Sequence, residues 1–130
     1  MRKTITTSNS SKPVGPYAQA VTANGFVFVS GIPPLDPETG NVVEGDIGVQ
    51  THRCMQNVRE VLRAAGCEMH DVVKMMVYLT DMEDYGAMNA VYRSYFPEDW
   101  LPARTAPQVV RLPKPAAKIA VDAIAALPES

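Results

Sequence analysis

The sequence predicts an α+β fold in which a mixed sheet of about six strands carries two helices on one face. Three observations lead to this prediction. Alternating or β-branched apolar runs indicate strands, two longer segments carry apolar residues at helical spacing, and eleven prolines mark the turns between them. The chain has 130 residues, of which 46% are hydrophobic and 20% charged, as in ordinary globular proteins. We therefore expect residues 1–130 to form one domain.

The N-terminal part is predicted to supply three strands. A short strand is expected at residues 4–6. Residues 17–21 and 26–30 flank Ala23-Asn24-Gly25, and a Gly-containing turn between two apolar runs is typical of a β-hairpin.

Two segments are predicted to be helices. Between residues 46 and 65 the apolar side chains fall on one side at helical spacing, and Gly66 suits the position just past a helix end. Thr80, with Glu83 three residues later, has the spacing of a capping box. The second helix is therefore predicted to begin at Thr80 and to end near Phe96.

The remaining strands complete the order βββαβαββ. Residues 72–79 are a β-branched and Met-rich run, too short and too apolar for a surface helix, and are predicted to form a central strand. Residues 108–112 and 118–125, separated by Pro113-Lys114-Pro115, are predicted as the last two strands. Because both helices cover one face, we expect the other sheet face to be buried by further copies of the chain in a closed ring.

The charge balance limits the classes of partner. Twelve Lys and Arg against fourteen Asp and Glu give a formal charge of -2, so the chain has no basic excess for nucleic acid or an anionic membrane surface. The polar N-terminal residues contain no apolar core of a signal peptide, and no apolar run approaches the ~20 residues of a membrane-spanning helix. A cytoplasmic location is expected.

The cysteines and histidines do not have the spacing of metal ligands. Cys54 and Cys67 lie thirteen residues apart, with no second cysteine pair and no histidine pair nearby. We expect both to be inert or buried thiols, and His52 and His70 to lie at the surface. No metal site is predicted.

Several motifs lie at predicted strand ends and in loops. They are Gly15-Pro16-Tyr17, Ser30-Gly31, the run PPLDPETG at residues 33–40, Pro102-Ala103-Arg104-Thr105 and Arg111-Leu112-Pro113. Together with DVVK, VYLTDM and NAVYRSYF in the middle of the chain, they occur in the order found in the RidA/YjgF family of small enamine/imine deaminases. The sequence resembles this family from about residue 10 to residue 125, nearly its whole length.

The resemblance implies a chorismate-mutase-like fold and a homotrimer whose sheets form a barrel-like inner wall, with ligand sites in the clefts between subunits. It also implies an activity. Members hydrolyse 2-aminoacrylate and related enamines or imines, such as 2-iminopropanoate, to 2-oxo acids and ammonia. No cofactor is implied.

Arg104 matches the arginine of the family motif PAR[ST]. Its planar guanidinium suits two parallel hydrogen bonds to a substrate carboxylate, and the resemblance implies this role. Outside the motif, the alternative is a solvated surface charge. Arg111, in the predicted strand 108–112, is expected to be structural or paired with a carboxylate.

The resemblance places further residues near the ligand. Ser30 and Gly31 match a strand end that offers a hydroxyl and backbone groups, although a plain turn is the alternative reading. Thr105 is expected to help position the substrate nitrogen and water. Tyr17 is expected to cover the cleft, or else to pack in the core. Asn89 is expected at the subunit boundary.

The last strand departs from the family pattern. Ala120 stands where the family has a glutamate that is thought to orient or deprotonate the attacking water. Asp122 lies on the same strand face and is the candidate substitute, but two residues along a strand span about 6.6 Å and the aspartate side chain is shorter. Ala106 replaces a frequent cysteine, so no thiol nucleophile is expected beside Arg104.

Two other functions stay open. A non-catalytic binder of small carboxylates, such as 2-oxo acids, would keep Arg104 and lose the water-activating group, which Ala120 favours. The second is an RNA-cleaving translation inhibitor, a role also attributed to the family. The acidic balance and the absence of a His or Lys catalytic pair argue against this second function.

Overall fold

The described chain, residues 2–129 of a computed structural model, contains the predicted order βββαβαββ. A single 3-10 turn precedes each of β4 and α2. The elements are β1 Lys3–Ile5, β2 Ala20–Ala23, β3 Phe26–Ile32, α1 Ile47–Ala64, β4 Val72–Leu79, α2 Tyr85–Arg93, β5 Ala103–Thr105 and β6 Ile119–Ala126.

The strands form one mixed six-stranded sheet, which confirms that prediction. Their order across the sheet is β1-β2-β3-β6-β4-β5. Only β4 and β5 run parallel, and the other neighbours are antiparallel. The C-terminal strand β6 thus lies between β3 and β4, so strands from both halves of the chain meet in the centre of the sheet.

Both helices contribute to one core on one face of the sheet. In β6, Ile119, Val121, Ala123 and Ala125 are buried while the residues between them are not. These side chains share a cluster with the inner faces of α1 and α2. Each fully buried Val, Leu or Ile side chain contributes about 1.5–3 kcal/mol, so burial of this layer stabilises the fold.

Helix α1 has the predicted bounds. The Asp46 carboxylate accepts a hydrogen bond from the Val49 N–H at 3.0 Å and caps the first turn. Gly66 follows the C-cap with φ +88°, a conformation that favours glycine. The Cys67 N–H then donates to the Leu62 carbonyl at 2.9 Å and closes the last turn.

The start and end of the second helix differ from the prediction. Asp81, not Thr80, is the capping residue: its carboxylate accepts from the Glu83 N–H at 3.0 Å and starts a 3-10 turn that leads into α2. An aspartate one position later offers a stronger acceptor than the threonine hydroxyl, which explains the shift. The helix ends at Arg93, three residues before Phe96.

The prediction of a strand at residues 108–112 was wrong. This segment forms only an isolated bridge, in which the Val109 N–H donates to the Leu79 carbonyl at 2.7 Å. Strand β4 ends at Leu79, which pairs with Gln108, so residues 110–112 have no neighbouring strand to pair with. The strand beside β4 is instead β5, which was not predicted. Arg111 is exposed and forms no ion pair among residues 2–129.

The hairpin is confirmed, but its first strand lies closer to the turn than predicted: it covers Ala20–Ala23 and not residues 17–21. Asn24 and Gly25 have φ of 51° and 83°, as a tight two-residue hairpin turn requires. Strand β2 begins at Ala20, which pairs with Ile5, the last residue of β1, so Gln19 lies just outside the ladder between the two strands. There the Gln19 side chain bonds to the backbone of Thr7 and Ser11 instead.

One face of the sheet lacks a covering layer in the described chain. Phe26 and Phe28 on β3 are 41% and 40% exposed. On β6, Ala120, Asp122 and Ile124 point to this open face and are half-buried. The ring of identical subunits that would cover it stays a prediction.

The remaining sequence-based expectations concern single side chains and helices. Both cysteines are buried and unpaired with each other, as expected; burial raises the pKa of Cys67 to about 11 and that of Cys54 still further. His52 and His70 are exposed, as expected. Within residues 2–129, no helix is long and apolar enough to cross a membrane, and no cluster of three potential metal-ligating side chains occurs.

Candidate functional site

Arg104 is held against helix α2 by neutral side chains. It lies in β5 opposite the buried Met75 and therefore points to the helix face of the sheet. Its Nη1 donates to the Asn89 side-chain oxygen at 2.7 Å, and its Nη2 donates to the Tyr85 hydroxyl at 2.9 Å. The guanidinium carbon lies 4.8 Å from the centre of the Tyr92 ring, which adds a cation–π contact.

The charge of Arg104 has no carboxylate partner among the described residues. Two of its N–H groups are used within the chain, and the others remain able to donate. The side chain is half-buried beside a hollow of about 290 Å³. Burial raises the pKa of Tyr92 to about 12, against the lowering effect of Arg104, so this ring stays neutral below the guanidinium. The arrangement fits an incoming anion.

A second, larger cavity of about 480 Å³ opens on the other face of the sheet. Three predicted ligand-binding residues, Tyr17, Ser30 and Gly31, line it. The rest of its wall is mostly apolar or aromatic and comprises Val14, Pro33, Tyr78, Leu112, Pro113, Lys114, Ala117 and Ala120. An apolar wall with few polar groups is typical of a small-molecule site.

Local backbone structure opens this cavity. The pairing of β3 with β6 shifts register between Val29 and Ile32, and Ser30-Gly31 form the irregular stretch. A Cβ built on Gly31 would meet no atom within 4 Å, so the space beside it is free. The Ser30 hydroxyl donates to the Ala18 carbonyl at 2.6 Å, which fixes the loop that carries Tyr17.

The position of the expected glutamate also lies in the cavity wall. Ala120 pairs with Tyr78 across β6 and β4, and both line the cavity. The Tyr78 hydroxyl donates to Asp122 Oδ2 at 2.9 Å. Asp122 itself does not line the cavity. Burial raises its pKa above the ordinary value, while the hydrogen bond from Tyr78 and the charge of Lys74 act in the opposite direction.

The predicted site residues therefore do not all meet in one place within one chain. Tyr17, Ser30 and Gly31 share the larger cavity, whereas Arg104 faces α2. Thr105, the next residue along β5, points to the open face, where its hydroxyl accepts a hydrogen bond from Lys74 Nζ at 3.2 Å.

Three residues near these groups were not assigned their positions from sequence. Tyr85 and Asn89 hold the guanidinium of Arg104, and the expectation that Asn89 lies at a subunit boundary stays a prediction. A signal was present, since residues 85, 89 and 92 recur at helical spacing and so lie on one face of α2. No sequence pattern indicates the position of Tyr78, because its contacts with Ala120 and Asp122 depend on the register between β4 and β6.

The sequence matches the model of the endoribonuclease L-PSP family, which contains the RidA/YjgF proteins, over residues 7–127. The chain belongs to this family. The resemblance found in the sequence motifs is thus confirmed.

Curated and solved RidA/YjgF relatives align along most of the chain. A RutC family protein of Pyrococcus horikoshii is 49% identical, covering 88% of this chain and 90% of that protein. The 2-iminobutanoate/2-iminopropanoate deaminase of Salmonella typhimurium is 41% identical, covering 96% and 98%. The crystal structure of E. coli TdcF with bound serine superposes with a TM-score of 0.91 at 37% identity, covering 97% and 99%. TdcF and other solved structures that align with this chain share the α+β sheet fold described above.

Proposed function

We propose that this RidA/YjgF protein hydrolyses small enamine and imine acids, of the 2-aminoacrylate and 2-iminopropanoate type, to 2-oxo acids and ammonia. One observation carries the proposal: the half-buried Arg104 is oriented by uncharged partners and keeps its charge for a ligand. Relatives of 37–41% identity that bear the name 2-iminobutanoate/2-iminopropanoate deaminase support the reaction class.

The guanidinium of Arg104 is suited to a carboxylate. Charge-assisted hydrogen bonds from a planar fork fix both the position and the orientation of an acid group. The Tyr92 ring below it and the hydrogen bond to Asn89 reduce the number of rotamers that the arginine explores, so little ordering remains to be done on binding. TdcF with serine in its structure is a relative that binds an amino acid, which carries such a carboxylate.

The complete site requires a second copy of the chain. Arg104 lies on the helix face at one edge of the sheet, whereas the cavity beside Ser30 and Gly31 opens on the other face. In the proposed homotrimer, Arg104 of one subunit closes the cavity of its neighbour. The exposed aromatic residues Phe26 and Phe28 would be buried in the same association.

The reaction needs no cofactor in this scheme. A protonated imine is already electrophilic, so water can attack the C=N carbon once the carboxylate is held and the water is positioned. Backbone groups at Ser30 and Gly31, and Thr105 from β5, are proposed to orient the nitrogen and the water. Asp122 is proposed as the base. The formal net charge of -2 gives no reason to include nucleic acid or a membrane among the partners.

A binder without catalytic activity is the second candidate. Ala120 lines the cavity where a carboxylate would be expected to act on water, and its methyl group cannot accept a proton. Such a protein would hold 2-oxo acids through Arg104 without turning over their imines.

The test supplies freshly generated 2-aminoacrylate and follows pyruvate and ammonia together. We expect acceleration over buffer, and a loss of about 100-fold in Arg104→Ala, the effect of removing a charge-assisted pair worth about 3 kcal/mol. Arg111→Ala is the matched control, because Arg111 is an exposed arginine without an ion-pair partner in the described chain.

The outcomes separate the candidates. No acceleration by the unaltered protein would refute the deaminase, and pyruvate binding that is lost in Arg104→Ala would then identify a binder. RNA cleavage that survives both extensive purification and Arg104→Ala would favour the translation inhibitor instead.

A further inference from the structure

Tyr78 connects the cavity to Asp122. It pairs with Ala120 across β4 and β6, and its ring forms part of the cavity wall. Its hydroxyl donates a hydrogen bond of 2.9 Å to Asp122 Oδ2. Asp122 lies two residues beyond Ala120, about 6.6 Å along the strand, and does not reach the cavity itself. The tyrosine hydroxyl spans this gap.

We propose that Tyr78 and Asp122 form a proton relay that stands in for the carboxylate missing at Ala120. The inference rests on the proposed deaminase function and names the residues that would handle the proton. A phenol oxygen that donates its own hydrogen to a carboxylate keeps its lone pairs for a further donor, such as a water molecule in the cavity.

The relay balances every atom of the hydrolysis. The water oxygen bonds to the carbon of the protonated imine, and the C=N π pair moves to nitrogen. One water proton passes to the Tyr78 oxygen while the Tyr78 proton passes to Asp122. The same path then returns a proton to the nitrogen of the carbinolamine. As the C–N bond breaks, its electron pair leaves with nitrogen as ammonia, the O–H pair of the hydroxyl forms the new C=O bond, and the hydroxyl proton passes to the departing ammonia. The 2-oxo acid therefore leaves with ammonium. Protonated imine and water thus give 2-oxo acid and ammonium, with Tyr78 and Asp122 unchanged.

The surroundings of the pair suit this role. Burial first, and then the bond to Asp122, raise the pKa of Tyr78, so the phenol stays protonated and relays protons without ionising. Burial also raises the pKa of Asp122, partly offset by Tyr78 and Lys74. On β3 the uncharged Ser30-Gly31 stretch lies opposite Asp122. Tyr78 and Lys74 are therefore the titratable groups that face this carboxylate.

Loss of the relay should reduce turnover more than binding. We expect Tyr78→Phe and Asp122→Asn each to lower kcat by about 10–100-fold, at the low end of general-base effects because imines hydrolyse readily, with KM nearly unchanged. The double variant should lose no more than the stronger single one, because the two residues act as one unit. Tyr95→Phe is the control, since Tyr95 is hydrogen-bonded to His52 and not to the cavity.

The pH profile distinguishes a relay from a merely structural bond. Asp122 must be ionised to accept a proton, so kcat should fall as the pH falls through its raised pKa, and this acidic limb should vanish in Asp122→Asn. Ala120→Glu in the Tyr78→Phe background should restore turnover, because it returns a carboxylate to the cavity wall. Unchanged pyruvate binding and melting temperature will show that the variants remain folded.

The outcomes that would overturn the relay differ from those that would overturn the deaminase function. If the unaltered protein is active and both Tyr78→Phe and Asp122→Asn stay within about threefold of it, the relay is overturned while the deaminase stands. Persistence of the acidic limb in Asp122→Asn overturns the relay as well. An unaltered protein that does not accelerate imine hydrolysis removes the proposed function and the relay together.

Discussion

At the scale of single residues, the partners of Arg104 matter because none of them is charged. An aspartate or glutamate in the place of Asn89 would form an internal ion pair and compete with any acid ligand. The asparagine oxygen instead accepts one hydrogen bond at 2.7 Å and leaves the positive charge uncompensated. The guanidinium is therefore held in place without a neutralising carboxylate, as the proposed role in binding an acid requires.

This interpretation predicts the effect of Asn89→Asp, which keeps the shape of the side chain and adds a charge. The new carboxylate should pair with Arg104 and raise KM by about 10–100-fold, with a smaller change in kcat, because binding and not proton transfer is affected. Steady-state kinetics on 2-aminoacrylate measure both constants.

Gln56→Glu adds the same charge on α1, beside a different hollow of the surface, and should leave KM unchanged. An Asn89→Asp protein that is folded by its melting temperature and has the KM of the unaltered chain would contradict this role of Asn89.

Residue types could predict some of these positions and not others. Tyr17, Ser30 and Gly31 were predicted from motifs, and the structure brings them together in one cavity. The hydrogen bond between Tyr78 and Asp122 depends on which residues of β4 and β6 lie opposite one another. Tyr78 and Asp122 are 44 residues apart in the chain. A single sequence does not show their register, because the two strands can pair with several offsets that bury the same alternate side chains.

At the scale of elements, the start of α2 shows how a matching spacing can mislead. Thr80 and Glu83 have the spacing of a capping box, yet Asp81 caps the turn before the helix. Both residues offer an oxygen acceptor, but the aspartate is the stronger one and lies where it accepts from the free N–H of Glu83.

A pair of substitutions tests this correction. Asp81→Ala should lower the free energy of unfolding by about 1 kcal/mol, because the Glu83 N–H loses its acceptor. Thr80→Ala should change it by less than about 0.5 kcal/mol, as expected of a residue without a capping role. Urea denaturation followed by circular dichroism measures both, and a larger loss in Thr80→Ala would restore the original prediction.

The strand predicted at residues 108–112 failed for a different reason. The segment is apolar enough for a strand, but its neighbour β4 has already ended at Leu79. Strand β5 has only three residues and a charged centre, Arg104, so its sequence gives little strand signal. Helix α1 and strand β6, by contrast, were predicted well because 18 and eight residues carry their periodic patterns.

At the scale of the whole molecule, the two halves of the proposed site lie on opposite faces of one sheet. Neither half is complete alone: the cavity beside Gly31 has a mostly apolar wall, and Arg104 has only a small hollow. A homotrimer with sites between subunits would join them, since a closed ring presents the edge of one subunit to the face of the next.

Mixing two inactive variants tests this arrangement. Arg104→Ala lacks the anion site, and Gly31→Leu fills the cavity without a backbone clash, since a Cβ at Gly31 meets nothing within 4 Å. Each variant alone should be inactive on 2-aminoacrylate and should sediment at three times the 14.1 kDa of the chain. Co-expressed in equal amounts, they should recover about a quarter of the activity of the unaltered protein. A cleft is intact only when its arginine comes from a Gly31→Leu chain and its cavity from an Arg104→Ala chain, which random assembly gives in about one cleft in four.

The same mixture separates a shared site from a site within one chain. If Arg104 served the cavity of its own subunit, every cleft in the mixed trimer would carry one damaged half, and activity would stay at the level of the single variants. Recovery requires that the intact arginine of one chain and the intact cavity of another meet. A trimer that forms normally and shows no recovery would therefore place both halves of the site in one chain. Such a site would require a large movement of β5, because Arg104 contacts Asn89 of its own chain at 2.7 Å.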